Sequence, residues 1–400
     1  MSTTAARRTA RAIPLALTAA ALASTAQAGV NISKRATQNM SCTGGVCTPT
    51  AKQAYLNVNE LTNMLAAGNL KIATGSGAED IHIDAAFSWT SASWLTLDAQ
   101  RSIEFKKPVT VAGPGALTLI PNDGGTGGDY WFDPGAHVTF WDLNSRLVIS
   151  GLPYLLVSSI SELANDIKQH PLRHYALANN YDASSDGAYA HAPIQTAFGG
   201  IFEGLGNTIS NVAFDLPTGP IPAGFFAQLD TVATVRDLLI VGLYLTCEPK
   251  RGGCGVTGGL AAYNYGTVNR TYVKGAIYAF TACVGGLIGI NAGTVARSSA
   301  NVATDNPGTD IECPSPQSQT GMGGLVGYNS GTIVQSFSEG YSVHNLHGSM
   351  VMGGLAGVNT GTIGNSYATT RVEEGGTIIT LSHMSGGLWD GIRTQSRARP

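Results

Sequence analysis

The chain carries little charge and has no long apolar run after its first 28 residues. Only 12% of its 400 residues are Asp, Glu, Lys or Arg, and the formal net charge is -3. A nucleic-acid-binding protein needs a basic face, which this composition does not supply, so we expect no nucleic-acid partner. A transmembrane helix needs about 20 consecutive apolar residues, so we expect no membrane span.

Signatures of catalysis and of metal binding are also missing. The sequence has no GxSxG motif, no phosphate-binding loop and no CxxC pair. The segment from Gly124 to Phe132 fits a single calcium-binding nonapeptide with Asp129 as ligand, but calcium is held between consecutive repeats, so a Gly-rich turn is favoured. His344 and His347 have no Cys or carboxylate beside them, which favours a solvated loop. We therefore predict no catalytic residue, cofactor or metal.

The first 28 residues have the three parts of a signal peptide. Residues 7–11 contain three arginines, residues 14–23 are apolar, and Ala26-Gln27-Ala28 matches an A-x-A cleavage site. The apolar stretch is too short to span a membrane. The sequence therefore predicts an exported protein that is cleaved before Gly29.

Six cysteines are present, and an even number in an exported chain favours disulfides. Six cysteines allow 15 connectivities, and local pairing is the simplest of them. Zinc is the alternative, although no CxxC pair or neighbouring His supports it. The predicted pairs are Cys42–Cys47, Cys247–Cys254 and Cys283–Cys313.

Short segments with alternating apolar and polar residues predict strands in the N-terminal part of the chain. Residues 29–56 are assigned to an N-terminal lead and residues 57–150 to β-coils. A short helix is predicted at Asn59–Ala67, where Leu61, Met64 and Leu65 share one face. The predicted strands cover residues 70–74, 80–84, 94–99, 102–105, 109–113, 116–120, 137–141 and 146–150.

A second helix is predicted in the middle of the chain. Ser159 and Glu162 fit a capping box, an apolar stripe follows them, and Pro171 ends the pattern. His170 and His174 lie on either side of this proline, so they do not share a helical face. Residues 151–198 are therefore assigned to a helical insertion and linker.

One phrase occurs four times in the C-terminal part of the chain: Gly-Gly-Leu, three residues, Asn, one residue, Gly-Thr, then Val or Ile. The spacing within a copy is fixed, whereas the intervals between copies vary, which indicates a solenoid with insertions on one face. Residues 199–400 are assigned to this array, which we expect to be truncated because a fifth copy at Gly386 lacks the Asn and the Gly-Thr. The four copies begin at Gly258, Gly285, Gly323 and Gly353.

In a parallel β-helix, equivalent side chains of successive coils stack in columns. The repeated Asn predicts a ladder of side-chain amides, and turn stabilisation is favoured over ligand binding because every coil carries it. These residues are Asn264, Asn291, Asn329 and Asn359. The first buried column is Leu260, Leu287, Leu325 and Leu355, and the second is Val268, Val295, Ile333 and Ile363. A third, mostly aromatic column is Tyr272, Ser299, Phe337 and Tyr367, and the polar residues before it, Arg270, Arg297, Gln335 and Asn365, indicate a bend.

The tetrapeptides inside the repeats resemble the GLUG motif of bacterial exported proteins. GLIG at 286–289, GLVG at 324–327 and GLAG at 354–357 match it, whereas the first copy reads GLAA at 259–262. The segment 61–113 is similar to exported filamentous-haemagglutinin-like proteins. The resemblance implies a right-handed parallel β-helix, export from a Gram-negative cell and an adhesin-like role without catalytic residues. The signatures of two-partner secretion and of an autotransporter barrel are not found in this sequence, so it does not indicate the route past the outer membrane. An outer-membrane transporter is one candidate partner for export.

The sequence thus predicts an all-β, right-handed parallel β-helix with two short helices. We expect an exported, enzymatically inert surface protein that binds a glycan, matrix or cell-surface ligand. Two alternatives stay open: a polysaccharide lyase or glycosidase on the same scaffold, and a structural fragment of a larger surface protein. The acidic residues that an enzyme could use are Asp182, Asp186, Asp215 and Asp237.

Overall fold

The computed structural model describes residues 28–216, 221–247, 254–279, 283–306, 321–340, 343–345, 351–374 and 377–379. These residues form 43 strands and two α-helices. Most strands pair in parallel with the equivalent strand of the next coil, so the fold is a parallel β-helix. The predicted all-β solenoid with two short helices is confirmed.

The N-terminal body is built from short strands whose alternate side chains are buried. Residues 29–56 already contribute strands to its sheets, and the eight strands predicted after them are present. Its elements are β1 (Gly29–Ser33), β2 (Met40–Thr43), β3 (Val46–Pro49), β4 (Gln53–Asn57), α1 (Val58–Ala67), β5 (Leu70–Ala73), β6 (Asp80–Ile83), β7 (Phe87–Trp89), β8 (Trp94–Asp98), β9 (Ile103–Phe105), β10 (Val109–Val111), β11 (Ala116–Ile120), β12 (Tyr130–Phe132), β13 (Val138–Phe140) and β14 (Arg146–Ile149).

The C-terminal body starts with a helix-containing segment and continues as coils. Its first elements are β15 (Leu152–Val157), α2 (Ile160–Gln169), β16 (Tyr175–Leu177), β17 (Tyr181–Asp182), a 3-10 turn (Ala183–Ser185), β18 (Ala188–Tyr189), β19 (Ile201–Glu203), β20 (Thr208–Ser210), β21 (Ala213–Leu216), β22 (Phe226–Leu229), β23 (Thr234–Arg236) and β24 (Leu239–Cys247). In α2, the Ser159 hydroxyl accepts a hydrogen bond from the Glu162 amide, as expected of an N-cap.

The repeat coils follow the same plan, with four strands in each of the first two coils, five in the third and six in the fourth. Their strands are β25 (Thr257–Gly258), β26 (Ala261–Asn264), β27 (Thr267–Asn269), β28 (Tyr272–Ala279), β29 (Cys283–Gly285), β30 (Ile288–Asn291), β31 (Thr294–Ala296), β32 (Ser299–Asn306), β33 (Gly321–Gly323), β34 (Val326–Asn329), β35 (Thr332–Val334), β36 (Phe337–Glu339), β37 (Val343–Asn345), β38 (Val351–Gly353), β39 (Ala356–Asn359), β40 (Thr362–Gly364), β41 (Tyr367–Ala368), β42 (Val372–Glu374) and β43 (Thr377–Ile379).

The chain reverses its direction between the two bodies. Ser150 and Gly151 both have positive φ, at 50° and 81°, and join β14 to β15 as an antiparallel hairpin. The reversal coincides with the segment boundary predicted at residue 150, although the sequence did not indicate a reversal. One 14-stranded sheet passes through the hairpin, from β2 at one end to β40 at the other.

The two bodies pack on opposite faces of this sheet where they meet. On β15 and β16, Leu156 and Ala176 belong to the core of the N-terminal body. Their neighbours Val157, Tyr175 and Leu177 belong to the core of the C-terminal body. Because successive side chains of a strand point to opposite faces, the sheet has an apolar core on each side here.

Candidate functional site

The Asn side chains of the repeat form a continuous hydrogen-bonded ladder. Asn264 Nδ2 donates to Asn291 Oδ1 at 2.7 Å, and Asn291 Nδ2 donates to Asn329 Oδ1 at 2.7 Å. Asn329 Nδ2 donates to Asn359 Oδ1 at 2.6 Å. The first three rungs are fully buried, and only Asn359 is exposed. These amides form hydrogen bonds with one another at a turn, so their role is structural.

The two apolar columns lie inside the coils. Leu260, Leu287 and Leu325 are fully buried, and Leu355 is half-buried in the last repeat. Each Leu amide donates to the Leu carbonyl of the next coil, with N to O distances of 2.9 Å for all three steps. The Val and Ile column is in register along the same coils: Val268 with Val295, Val295 with Ile333, and Ile333 with Ile363.

The predicted bend is a corner in the left-handed region of the backbone. The four residues there have φ values of 48°, 47°, 50° and 47° and are Arg270, Arg297, Gln335 and Asn365. Each is followed by a Thr or Ser, and the three serines accept a hydrogen bond from the backbone of the preceding coil. The bonds, all 3.1 Å long, run from Thr271 N to Ser298 Oγ, from Ser298 N to Ser336 Oγ and from Ser336 N to Ser366 Oγ. Sequence reasoning missed this hydroxyl ladder, although a Thr or Ser recurs three residues after each Val or Ile.

The glycines of the GLUG-like phrase allow the backbones of neighbouring coils to approach each other closely. None of them has a positive φ, so they do not form left-handed corners. A Cβ on Gly286 would lie 2.2 Å from the Gly324 carbonyl oxygen. A Cβ on Gly327 would lie 2.7 Å from the Gly289 carbonyl oxygen of the coil before it. In the first copy, Ala262 stands at this position and is buried in a small apolar cluster.

Of the acidic residues considered for an enzyme, Asp182 and Asp186 flank the same 3-10 turn, whereas Asp215 and Asp237 lie on other parts of the chain. Asp182 caps the 3-10 turn, and its carboxylate accepts from Asn211 Nδ2 at 2.9 Å, which lowers the pKa of Asp182. Asp186 accepts from the Tyr181 hydroxyl, and burial together with this bond raises the pKa of Tyr181 to about 12. Asp237 is buried between arginines. The full set is Asp182, Asp186, Asp215 on β21, and Asp237.

Asp129, the calcium ligand considered from sequence, is bound by two guanidinium groups. Arg236 Nη2 lies 3.0 Å from Asp129 Oδ1, and Arg270 Nη1 lies 2.8 Å from Asp129 Oδ2. The preceding glycines form a turn in which Asn122 Oδ1 accepts from the amides of Gly127 and Gly128.

His170 and His174 contact different groups. His170 caps α2 and lies 3.6 Å from Asp166. His174 Nδ1 accepts from the Ile201 amide at 3.2 Å. His344 lies on β37, and His347 lies outside the described residues.

A buried charge cluster joins the two bodies, and sequence reasoning missed it. Tyr130 OH donates to Glu203 Oε2 at 2.5 Å, and Arg236 Nε lies 3.3 Å from the same oxygen. Arg270 Nε donates to Asp237 Oδ1 at 2.7 Å. We call this set the junction cluster; its members are Asp129 and Tyr130 of the N-terminal body and Glu203, Arg236, Asp237 and Arg270 of the C-terminal body.

Burial dominates the electrostatics of the junction cluster. It raises the pKa of Glu203 and that of Asp237, since both carboxylates are almost fully removed from water. Arg236 opposes the shift of both groups. Up to 141 residues separate the paired side chains, as between Asp129 and Arg270. No local spacing in the sequence could therefore have revealed the cluster.

An exposed pair of aromatic side chains lies on β24 and β28, on the outer face of the C-terminal body. Tyr244 on β24 is 50% exposed and Tyr278 on β28 is 37% exposed. Their ring centroids are 5.7 Å apart with an interplanar angle of 52°. Nearer the corner, the rings of Phe337 and Tyr367 stack at 5.2 Å, and both belong to the third, outward column.

Two of the predicted disulfides are present, and each closes a local loop. Cys42 bonds to Cys47 within the β2–β3 hairpin, and Cys247 bonds to Cys254 after β24. Cys283 is also disulfide-bonded, and its predicted partner Cys313 lies outside the described residues.

Comparison of the sequence with protein-family models and with curated proteins gives no match. Within the described residues, no helix has the length and the apolar character needed to cross a bilayer.

Proposed function

We propose that this chain is an exported, adhesin-like β-helix protein that presents its outer sheet faces to a glycan, matrix or cell-surface ligand. The observation that carries the proposal is the exposed face of β24, β28 and β32, on which Tyr244 and Tyr278 stand in water. Large exposed aromatic side chains that share one face are typical of recognition surfaces.

The scaffold under this face supports recognition by a rigid surface. The Asn ladder and the hydroxyl ladder fix each coil on the next, so the outward side chains keep their spacing from coil to coil. A surface that is ordered before binding loses little conformational entropy when a ligand arrives.

Export is proposed from the N-terminal segment and the disulfides. The predicted cleavage site precedes β1, whose Val30 and Ile32 are fully buried in the N-terminal core. Disulfides persist in oxidising compartments outside the cytosol. We propose the surface of a Gram-negative cell, or its medium, as the location, with an outer-membrane transporter as the export partner.

Binding of the purified mature chain to cells, matrix proteins and glycans tests the function. We expect saturable binding that a heat-denatured sample loses. The enzyme alternative is tested on the same sample, by incubation with pectin, alginate and other polysaccharides and assay of new reducing ends. A correctly folded sample that binds nothing across the panel would refute the adhesin role, and new reducing ends would replace it with catalysis.

A further inference from the structure

A second outward face lies on the N-terminal body, on the adjacent strands β8, β11 and β14. These strands pair in parallel in that order, and their inward leucines are buried in the core. The side chains one position before those leucines point outward, because successive side chains of a strand alternate between the faces. The outward row consists of Trp94, Ala116 and Arg146. It belongs to residues 28–216, which the structure describes without a gap.

Trp94 and Arg146 close over the alanine that lies between them. The guanidinium carbon of Arg146 lies 5.1 Å from the centroid of the Trp94 ring, which is a cation–π contact. Ala116 is only 3% exposed although it belongs to the outward row, because these two side chains cover it. Trp94 itself is 43% exposed. The pair therefore presents a planar cation, held in place against an aromatic ring that is still partly open to solvent.

The guanidinium of Arg146 has N–H donors available for a ligand. Arg146 is exposed, and none of the described carboxylates forms an ion pair with it. Asp142, on the corner that leads into β14, accepts two bonds from Asn144, at 2.8 and 3.0 Å. Because a guanidinium carries five N–H donors in a planar fork, its edge matches a carboxylate and can bind it with two parallel hydrogen bonds.

Hydroxyl groups form the next outward row on the same strands. Thr96 on β8 pairs with Thr118 on β11, and both are partly exposed. They lie two residues further along the strands than the Trp94 row, or about 6.6 Å at the parallel-strand rise. Lys71 on β5 continues this row and is bonded to Asp98 at 2.6 Å. An aromatic ring, a planar cation and two hydroxyls therefore lie side by side on this face.

The C-terminal body closes one side of the face. The antiparallel register of β14 and β15 brings Leu155, which is 38% exposed, next to Arg146. Leu155 pairs with Tyr175, which is fully buried in the core of the C-terminal body together with the apolar side of α2. On this side, Asp166 of α2 is bonded to Arg173 at 2.9 Å. The face is therefore the floor of an open step between the two bodies, and ligand sites are frequent at such boundaries.

We propose that this step binds a saccharide that carries a carboxylate, such as a uronic acid or a sialic acid. Arg146 binds the carboxylate, the exposed part of Trp94 contacts the apolar face of the sugar ring, and the two threonines bond to its hydroxyls. A neutral saccharide leaves the guanidinium without this partner. The inference goes beyond the proposed function, whose supporting observation lies on β24, β28 and β32, so either can fail without the other.

Isothermal calorimetry of the purified mature chain with paired saccharides tests the inference. Trigalacturonate is compared with its methyl ester, and 3′-sialyllactose with its methyl ester, so the members of each pair differ in the charge of the carboxyl group. Arg146→Gln removes the cation, and Trp94→Ala removes the ring. Arg35→Gln is the matched control, because Arg35 is exposed and lies 4.6 Å from the centroid of the Tyr55 ring, on a different sheet.

We expect at least one of the two acids to bind, and its methyl ester to bind about tenfold more weakly or less. Arg146→Gln and Trp94→Ala should each weaken binding of the acid by about tenfold or more, whereas Arg35→Gln should stay within about twofold of the parent. Unchanged melting temperatures would show that the variants fold.

Three results would overturn the inference: no binding of either acid, equal binding of an acid and its ester, or an equal loss in Arg35→Gln. Unchanged binding in Arg146→Gln would do the same even if Trp94→Ala failed to fold, because Arg146→Gln alters only an exposed side chain. Cell or matrix binding that persists after a negative titration would leave the proposed function standing, whereas the absence of both would refute both.

Discussion

Replacing Asn329 by Leu removes a buried rung of the amide ladder without a large change in volume. The substitution deletes the bond from Asn291 Nδ2 at 2.7 Å and the bond to Asn359 Oδ1 at 2.6 Å. Asn291 Nδ2 keeps longer contacts, at 3.3 Å to Gly293 O and 3.4 Å to Thr332 O, so it is not wholly orphaned. Two lost hydrogen bonds at about 0.5–1.5 kcal/mol each give a loss of about 1–3 kcal/mol.

The position of each rung predicts a graded series. Asn291→Leu should cost more than Asn329→Leu, because both neighbours of Asn291 are fully buried. Asn359→Leu should cost least, because Asn359 is exposed and water can replace its partner. Urea unfolding followed by circular dichroism measures the three differences, with equal m-values required for the comparison. An unchanged free energy of unfolding for Asn329→Leu, or a larger loss for Asn359→Leu, would refute the ladder as a source of stability.

Three further predictions concern packing, charge and disulfides. Gly327→Ala should lower the free energy of unfolding by about 1–3 kcal/mol in urea melts, because its Cβ meets backbone; Gly68→Ala, with open space around it, is the control and should differ little. Burial raises the pKa of Glu203, so the folded chain holds this proton when the unfolded chain has lost it. Stability should therefore fall as the pH rises above about 4.3, and Glu203→Gln should flatten that fall in urea melts measured against pH; an unchanged slope would contradict it. Non-reducing peptide mapping should recover a Cys283–Cys313 peptide, and a different partner for Cys283 would correct our pairing.

The interior of the repeat coils could be predicted because a solenoid converts sequence spacing into contact. Each coil contacts only its neighbours, so residues at the same point of the phrase must stack. Asn264 and Asn291 are in register for this reason, as are Val268 and Val295. The short N-terminal strands were predictable from alternation, since one face of each is buried.

The union of the two bodies could not be predicted, because no repeat encodes it. The reversal depends on two residues with positive φ, Ser150 and Gly151, and a Ser-Gly pair is not specific for a hairpin. The ion pairs of Asp129 with Arg236 and Arg270 join distant parts of the chain, and they do not recur from coil to coil as the repeat contacts do. The outward face of β24, β28 and β32 was likewise hidden, because it depends on the bulge at Gly242 and on register across three strands.

The junction cluster is better understood as a device that fixes orientation than as a source of stability. Burying Glu203 and Asp237 costs desolvation energy that ion pairing often only offsets, so apolar residues of similar size could serve stability equally well. The apolar contacts made there by Leu156 and Ala176 have no direction, whereas the hydrogen bond from Tyr130 to Glu203 is satisfied in one arrangement only. The second body is joined to the first by the antiparallel β14–β15 hairpin. Parallel stacking aligns the coils within each body but does not align the two bodies, so their relative orientation needs such a directional constraint. The outer face of β24 belongs to the body that this cluster orients, so the direction in which its tyrosines are presented depends on charges buried at the junction.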